Sequence, residues 1–253
     1  MYLNGAKKRD EFLRALAKGF DGQVYDTSSS FKGGLTVTWG FDHDSFQRMV
    51  ECRKEKRPFL FLDHAYFKRG YENGHCRLVI NGVHQSELVK VPDDRLKKFG
   101  VEVQPWRKGR EVLVIVPSEN VCRFLGYPLR WAQETANELK KYTDRPIRLK
   151  FKGPGLVGEL KDCHAVVSLA SVAEVEAAKF GVPVFASKHS PAAPIAEQDF
   201  SRIEQPIYPE REMWLRGLAY STWHISELAD GTTRRALEGL YGDYHPCRAS
   251  DCG

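Results

Sequence analysis

The chain has 253 residues, 42% of them hydrophobic and 28% charged, with a formal net charge of +5. That length suits one large or two small domains, and the composition excludes intrinsic disorder. No window approaches the roughly 18 apolar residues of a membrane span, and the first residues lack the apolar core of a signal peptide.

The six cysteines are scattered without a framework, as expected of reduced thiols in a cytoplasmic protein. His245, Cys247 and Cys252 hint at a metal clip near the tail, but their spacing is loose. Basic residues cluster at Lys97-Lys98, Arg107 to Arg110, Lys140-Lys141 and Arg145 to Lys152. Such a balance suits a polyanionic partner or a small anionic substrate; Lys140-Lys141 read as a solvated face.

In chain order, residues 2–3 and 23–26 are short strand candidates flanking a helix over 7–18, which places Phe12, Leu13, Leu16 and Ala17 on one face. A Ser- and Gly-rich loop over 28–34 precedes an alternating strand at 35–39. A helix follows from Asp44 to about residue 55, with Phe46, Met49 and Val50 inward. The apolar run 58–62 is a buried strand that ends directly in Asp63-His64-Ala65-Tyr66-Phe67-Lys68-Arg69. In an open α/β sheet ligands sit outside the carboxyl ends of the strands, so these side chains project where chemistry is expected. A strand at 76–81 and a short helix at 92–99, stopped by Gly100, complete a first βα half.

Pro105 and Gly109 interrupt the pattern, and a domain boundary is expected near residue 105. The alternation restarts with a strand at 111–116, a polar loop at 117–120, a helix at 128–142 and a strand at 147–151. The chain is organised around the segment that follows. Residues 165–169 form a strand buried on both faces, Ala170-Ser171 a turn of small residues, 172–180 a helix and 182–186 a second strand. Gly181 stands where a left-handed helix stop is cheapest. This is one β-α-β unit with parallel strands, and its first turn offers backbone N–H groups to an anion. The proline-rich stretch 188–194 has no regular pattern, and the last third reads as helices at 210–223, 226–229 and 232–241.

The segment 166–184, with its small-residue turn, Ser171, Glu176-Ala177, Gly181 and Pro183, resembles the donor-binding unit of GT-B glycosyltransferases. The tail 218–231 is similar to the closing helices of bacteriophage-type glycosyltransferases. Asp63 to Arg69, together with Asn81-Gly82-Val83-His84, is similar to small phage proteins that transfer sugars to modified DNA bases. The resemblance implies an α/β chain of two Rossmann-like domains facing a cleft. Residues 1–105 are then the acceptor side, 106–220 the nucleotide-sugar side, and 221–253 closing helices and tail.

It also implies a glycosyltransferase that moves a sugar from a nucleotide-diphosphate donor, a UDP-sugar in the first instance, to a hydroxyl. The acceptor in view is a 5-hydroxymethylpyrimidine in double-stranded phage DNA. A small-molecule or glycan acceptor, a nucleotide-sugar epimerase and a non-catalytic nucleic-acid binder are the alternatives. On this reading Ala170, Ser171, Gly153 and Gly155 bring backbone to the diphosphate, Arg148, Lys150 and Lys152 neutralise it, and Glu176 meets the ribose. Plain cap, loop and surface roles compete for each. Asp63 or His64 is the base that takes the acceptor proton, with His84 and Asp42 in reserve; the competing roles are a cap and a packed sheet edge. Tyr66, Arg69 and His84 face the acceptor, and Trp39 or Trp106 stacks on a base or simply packs. No pair of aspartates suits a metal-bridged diphosphate, since Asp93-Asp94 sit at a helix start, so no obligatory metal is expected.

Overall fold

The computed structural model describes residues 2–3, 7–26, 35–41 and 43–241. The 28–34 loop, Asp42 and the cluster of His245, Cys247 and Cys252 lie outside these residues. The chain is mixed α/β and divides into two compact units. One is built from the chain up to Val83 and again from Ser221 onward, the other from His84 to Tyr220.

In the first unit β1 (Tyr2–Leu3) and β2 (Tyr25–Asp26) pair in parallel as a separate small sheet on either side of α1 (Lys7–Gly19). The main sheet takes β3 (Thr36–Trp39), then, after α2 (His43–Lys54), β4 (Phe59–His64) and β5 (His75–Ile80). β3 and β4 are parallel, and β4 and β5 antiparallel. The connection from β4 to β5, residues 65–74, is too short for the crossover that a parallel pair needs. It closes on Gly74, whose φ of 65° suits a residue without Cβ. Phe12, Leu13 and Leu16 of α1 pack with Val37, Trp39, Leu60, Leu62 and Leu78 in one core. Along α2 the buried positions are Ser45, Met49 and Cys52, one turn apart, while Phe46 and Val50 are only half-buried.

The second unit begins ahead of the expected boundary near residue 105. α3 (Asp94–Phe99) belongs to it because it packs on α8 (Glu212–Tyr220) of the same unit. Between them run β6 (Glu111–Ile115), α4 (Glu119–Leu125), α5 (Trp131–Leu139), β7 (Ile147–Lys150), α6 (Leu156–Glu159), β8 (Cys163–Ser168), α7 (Ala173–Lys179) and β9 (Val184–Ala186). The sheet order is β7-β6-β8-β9, every pair parallel. β8 is buried at all six positions, as its unbroken apolar run requires. The polar residues after β6 are not a loop. Ser118 caps α4 by accepting the Val121 N–H at 3.4 Å.

The last third is not helical throughout. β10 (Thr222–His224) interrupts it, pairing antiparallel with β5; a β-branched residue followed by Trp favours a strand once a partner edge is open. α9 (Ile225–Ala229) then packs on α1, and α10 (Thr232–Tyr241) on α9. The stretch expected as a closing tail therefore completes the first unit. Its Trp223 is 1% exposed in that unit's core.

Gly181 ends α7 at φ +85°, and a Cβ there would lie 2.1 Å from the Pro105 carbonyl oxygen. Gly181→Ala therefore combines left-handed strain with a backbone clash, and a loss of about 2 kcal/mol or more is expected in denaturant unfolding. A neutral substitution would refute this account of the helix stop.

Candidate functional site

Because the four strands of the second unit are parallel, the turns that leave them collect at one edge. They are residues 116–118 after β6, 151–155 after β7, 169–172 after β8 and 187–190 after β9. The chain passes from β6 to β7 on one side and then to β8 on the other. The strand order thus reverses between β6 and β8, where open α/β sheets hold their ligands. Ser118 and Ser171 stand at that point.

The turn after β8 differs from its expected form. Its N–H groups are largely committed: Ser171 donates to Glu174 Oε1 at 2.9 Å, Ala173 to Ser171 Oγ at 3.2 Å and Glu174 to the Ser171 carbonyl at 3.1 Å. Ala170 is buried at 6% exposure. What Ser171 retains for a ligand is a half-buried hydroxyl rather than a ring of free amides. Glu176 is half-exposed and bonded to Lys179 Nζ at 3.3 Å.

The residue that ties this edge together, Glu174, was missed. It is fully buried. Its carboxyl is reached by the Ser171 N–H, the Ser190 hydroxyl, the Ser168 hydroxyl and the Ala192 N–H. Burial outweighs those hydrogen bonds and pushes its pKa up to about 8. Ser187 adds a second tie, donating its hydroxyl to the Leu169 carbonyl at 2.6 Å. In sequence Glu174 is one of two alternating glutamates on a short helix. Its inward position is visible only in the four small or apolar neighbours Val172, Val175, Ala177 and Ala178, all buried with it.

The cations of β7 do lie on one side of the strand, but their counter-charges are internal. Arg148 bonds Glu111 at 2.5 Å and also Glu159, and Lys150 lies 3.8 Å from Glu159 and donates to the Pro154 carbonyl at 3.1 Å. Lys152 is exposed in the loop after β7. Gly155 takes a left-handed φ of 84° at the start of α6, and Gly153 has only Lys150 Nζ near the place of a Cβ, at 4.0 Å.

In the first unit Asp63 and His64 end β4, beside the carboxyl end of its parallel neighbour β3. Asp63 accepts from Arg77 at 2.8 Å and from the His64 N–H at 2.7 Å, and Arg77 also donates to the His64 carbonyl at 2.8 Å and the Val83 carbonyl at 3.1 Å. The Arg77 side chain is 4% exposed, so Asp63 is the counter-charge of a buried cation. The His64 ring lies against Tyr71, 4.8 Å between centroids, and edge-on to Trp39. Among the described residues no hydrogen bond engages its nitrogens. Burial lowers its pKa first; Asp63 opposes that, while Arg69, Arg77 and Arg9 reinforce it. The imidazole is neutral at pH 7.

Of the side chains expected at an acceptor, Arg69 is exposed, but Tyr66 at 1% and His84 at 7% are buried. Tyr66 packs over the Arg77 guanidinium, 5.7 Å from its ring centre. The tryptophans are packing groups. Trp39 is 3% exposed and stacks with Tyr71, and Trp106 is covered by Arg211 at 4.0 Å. The four cysteines described carry free, buried thiols, and burial raises the pKa of Cys76 and Cys163. Among the described residues no group of three or more His, Cys, Asp or Glu could hold a metal ion, and no helix is long and apolar enough to cross a membrane.

No family model matches the sequence, and no curated protein matches it. Among solved structures the chain is similar to Thermosulfurimonas dismutans KpsC, beta Kdo 2,4 transferase. The TM-score is 0.54 and the identity 12%, over 88% of this chain and 91% of that one. At that identity the likeness is one of fold alone.

Asp63→Asn leaves the Arg77 cation without its counter-charge and is expected to cost about 3 kcal/mol of stability, read by urea unfolding at pH 7. Unchanged stability would mean that the pair is dispensable and that the carboxylate is available for chemistry.

Proposed function

We propose that the protein is a glycosyltransferase that uses a nucleotide-sugar donor. The observation that carries this reading is the all-parallel second sheet with its reversal point between β6 and β8, in a chain whose fold is shared with a sugar transferase. On this proposal the second unit holds the donor. Ser118 and Ser171 contribute hydroxyls, the backbone at Gly153 and Gly155 approaches the phosphates, and exposed Lys152 supplies the positive charge that Arg148 and Lys150 spend on Glu111 and Glu159. Glu176 is bound to Lys179 by a half-exposed pair spaced i,i+3, an interaction of about 0.5 kcal/mol. Exchanging it for a ribose hydroxyl costs little.

The first unit then holds the acceptor. His64 is the group suited to take the acceptor proton, because its ring is neutral at pH 7 and no described residue bonds its nitrogens, whereas Asp63 is held by Arg77. Arg69 is the exposed cation beside it.

For the acceptor we favour a glycan or small-molecule hydroxyl over a modified DNA base. The structural neighbour is a beta Kdo 2,4 transferase, and two of the cations that had favoured a polyanion, Arg145 and Arg148, are paired internally. DNA retention that falls steeply with salt would reverse that preference.

The test is a thermal-shift panel of cytidine, uridine and guanosine mono- and diphosphates, each at about a hundred times its Kd. One of them is expected to stabilise the wild type by roughly 2.7 kcal/mol, several degrees in a chain of this size, with most of the shift lost in Glu176→Ala. With a nucleotide sugar of that base and a hydroxyl acceptor, His64→Ala is expected to slow transfer about 100-fold or more. Because burial lowers the His64 pKa below its ordinary 6.5, wild-type transfer persists at pH 6.5 and falls only at lower pH. No stabilisation by any nucleotide contradicts the donor reading. Transfer that survives in His64→Ala removes the base assignment.

A further inference from the structure

We infer that Glu174 is a positioning residue: its buried carboxyl sets the spacing between the turn after β8 and the segment after β9. The effect of that spacing on donor binding rests on the reading above; the hold itself does not.

The geometry is specific. One carboxyl gathers hydrogen bonds from four places, Ser168 at the end of β8, Ser171 in the turn, and Ser190 and Ala192 beyond β9. Ser190 is itself braced, since its hydroxyl also accepts the Ala192 N–H at 2.8 Å and its N–H donates to the Ser187 carbonyl at 3.0 Å. A side chain with no exposed surface and partners on three separate stretches of chain cannot be removed without taking the acceptor from the Ser171 N–H and from the Ser168 and Ser190 hydroxyls. A capping role alone would need only the contact with the Ser171 N–H.

Among the described residues no cation acts on the carboxyl. Among the charged or titratable groups of the elements around it, Glu159 on α6 pairs with Arg148, Lys179 and Glu176 on α7 pair with each other, and His164 on β8 bonds the Ile203 carbonyl. Lys188 and His189 follow β9. None of them acts on Glu174, whose pKa is raised by burial alone, from an ordinary 4.5 to about 8. The acid is therefore protonated at neutral pH, with its own O–H available to a serine hydroxyl oxygen. Above about pH 8 it must either ionise in an uncompensated site or let the two segments part to admit water.

The sign follows from linkage. Between pH 4.5 and 8 the unfolded chain has released this proton and the folded chain keeps it, so raising the pH favours unfolding. A single such group shifts the equilibrium by up to about tenfold per pH unit in that window, and the loss is complete above it. Glu174→Gln keeps the shape and an acceptor oxygen without the proton.

Amide hydrogen exchange on the whole protein at pH 6.5 and 9, corrected for intrinsic rates, tests this in the wild type, Glu174→Gln and Glu174→Ala. In the wild type, residues 169–175 and 187–195 are expected to lose protection together, by about tenfold or more at pH 9, while β4 residues do not. Glu174→Gln is expected to stay protected at both pH values, and Glu174→Ala to lose protection at both. If the alanine variant fails to fold, the wild type and glutamine variant decide the matter. Equal pH response in wild type and Glu174→Gln, or a wild type with none, overturns the proposal. The panel of nucleotides is run on the same samples. Stabilisation by none of them refutes the donor reading while leaving the exchange result to stand or fall separately.

Discussion

Parallel pairing is the constraint from which the rest of the second unit follows. A parallel strand cannot be joined to its neighbour by a hairpin, so each of β6, β7 and β8 must cross back through a helix. All their outgoing turns then lie at one edge. Serines and glycines stand in those turns, and beneath them Val112 to Ile115 of β6, Ala165 to Val167 of β8 and Val184 to Ala186 of β9 are buried and apolar. In the main sheet of the first unit only β3 and β4 obey the constraint. Its remaining strands are antiparallel, and correspondingly the groups of chemical interest there are confined to the end of β4.

Two buried ionisable side chains shape the edges in opposite ways. Arg77 is permanently cationic, and it is tolerated because Asp63 and two backbone carbonyls surround it. The result fixes the backbone of His64, whose carbonyl is one of those acceptors. Glu174 has no such partner and meets the same problem by holding its proton. In both places an ionisable side chain specifies the position of a neighbouring segment, which apolar packing at a turn would leave loose. The surface pairs, such as Arg148 with Glu111, contribute little to stability. Their importance is that they remove cations from the pool open to a ligand.

The sequence made the strands of the second unit legible because runs such as Ala165 to Leu169 are apolar on both faces, and Gly181 because a left-handed stop after a short helix has few other occupants. The helix boundaries and the stop at Gly100 came from the same local signals. β10 was not legible: Thr222-Trp223-His224 becomes a strand only because the edge of β5, far away in sequence, is open to it. α4 was hidden by a polar start that reads as a loop until Ser118 is seen to cap it. At the site, Asp63 and His64 were placed correctly at a strand end, but Arg77 lies on the next strand in an ordinary polar-apolar alternation, so the fate of Asp63 could not be foreseen. Likewise Glu174 and Glu176 differ only in which side of α7 they face, and the more conspicuous residue of the motif was the exposed one.

The central claim is that a nucleotide sugar sits on the carboxyl edge of the β7-β6-β8-β9 sheet. Backbone amide chemical shifts, followed by nuclear magnetic resonance as the stabilising nucleotide is titrated in, test it most directly. The account predicts that the largest changes fall in residues 116–119, 151–155, 169–173 and 187–190, which are distant in sequence and share only that edge. Changes concentrated at the amino ends of those strands, or scattered over the basic surface, would contradict it.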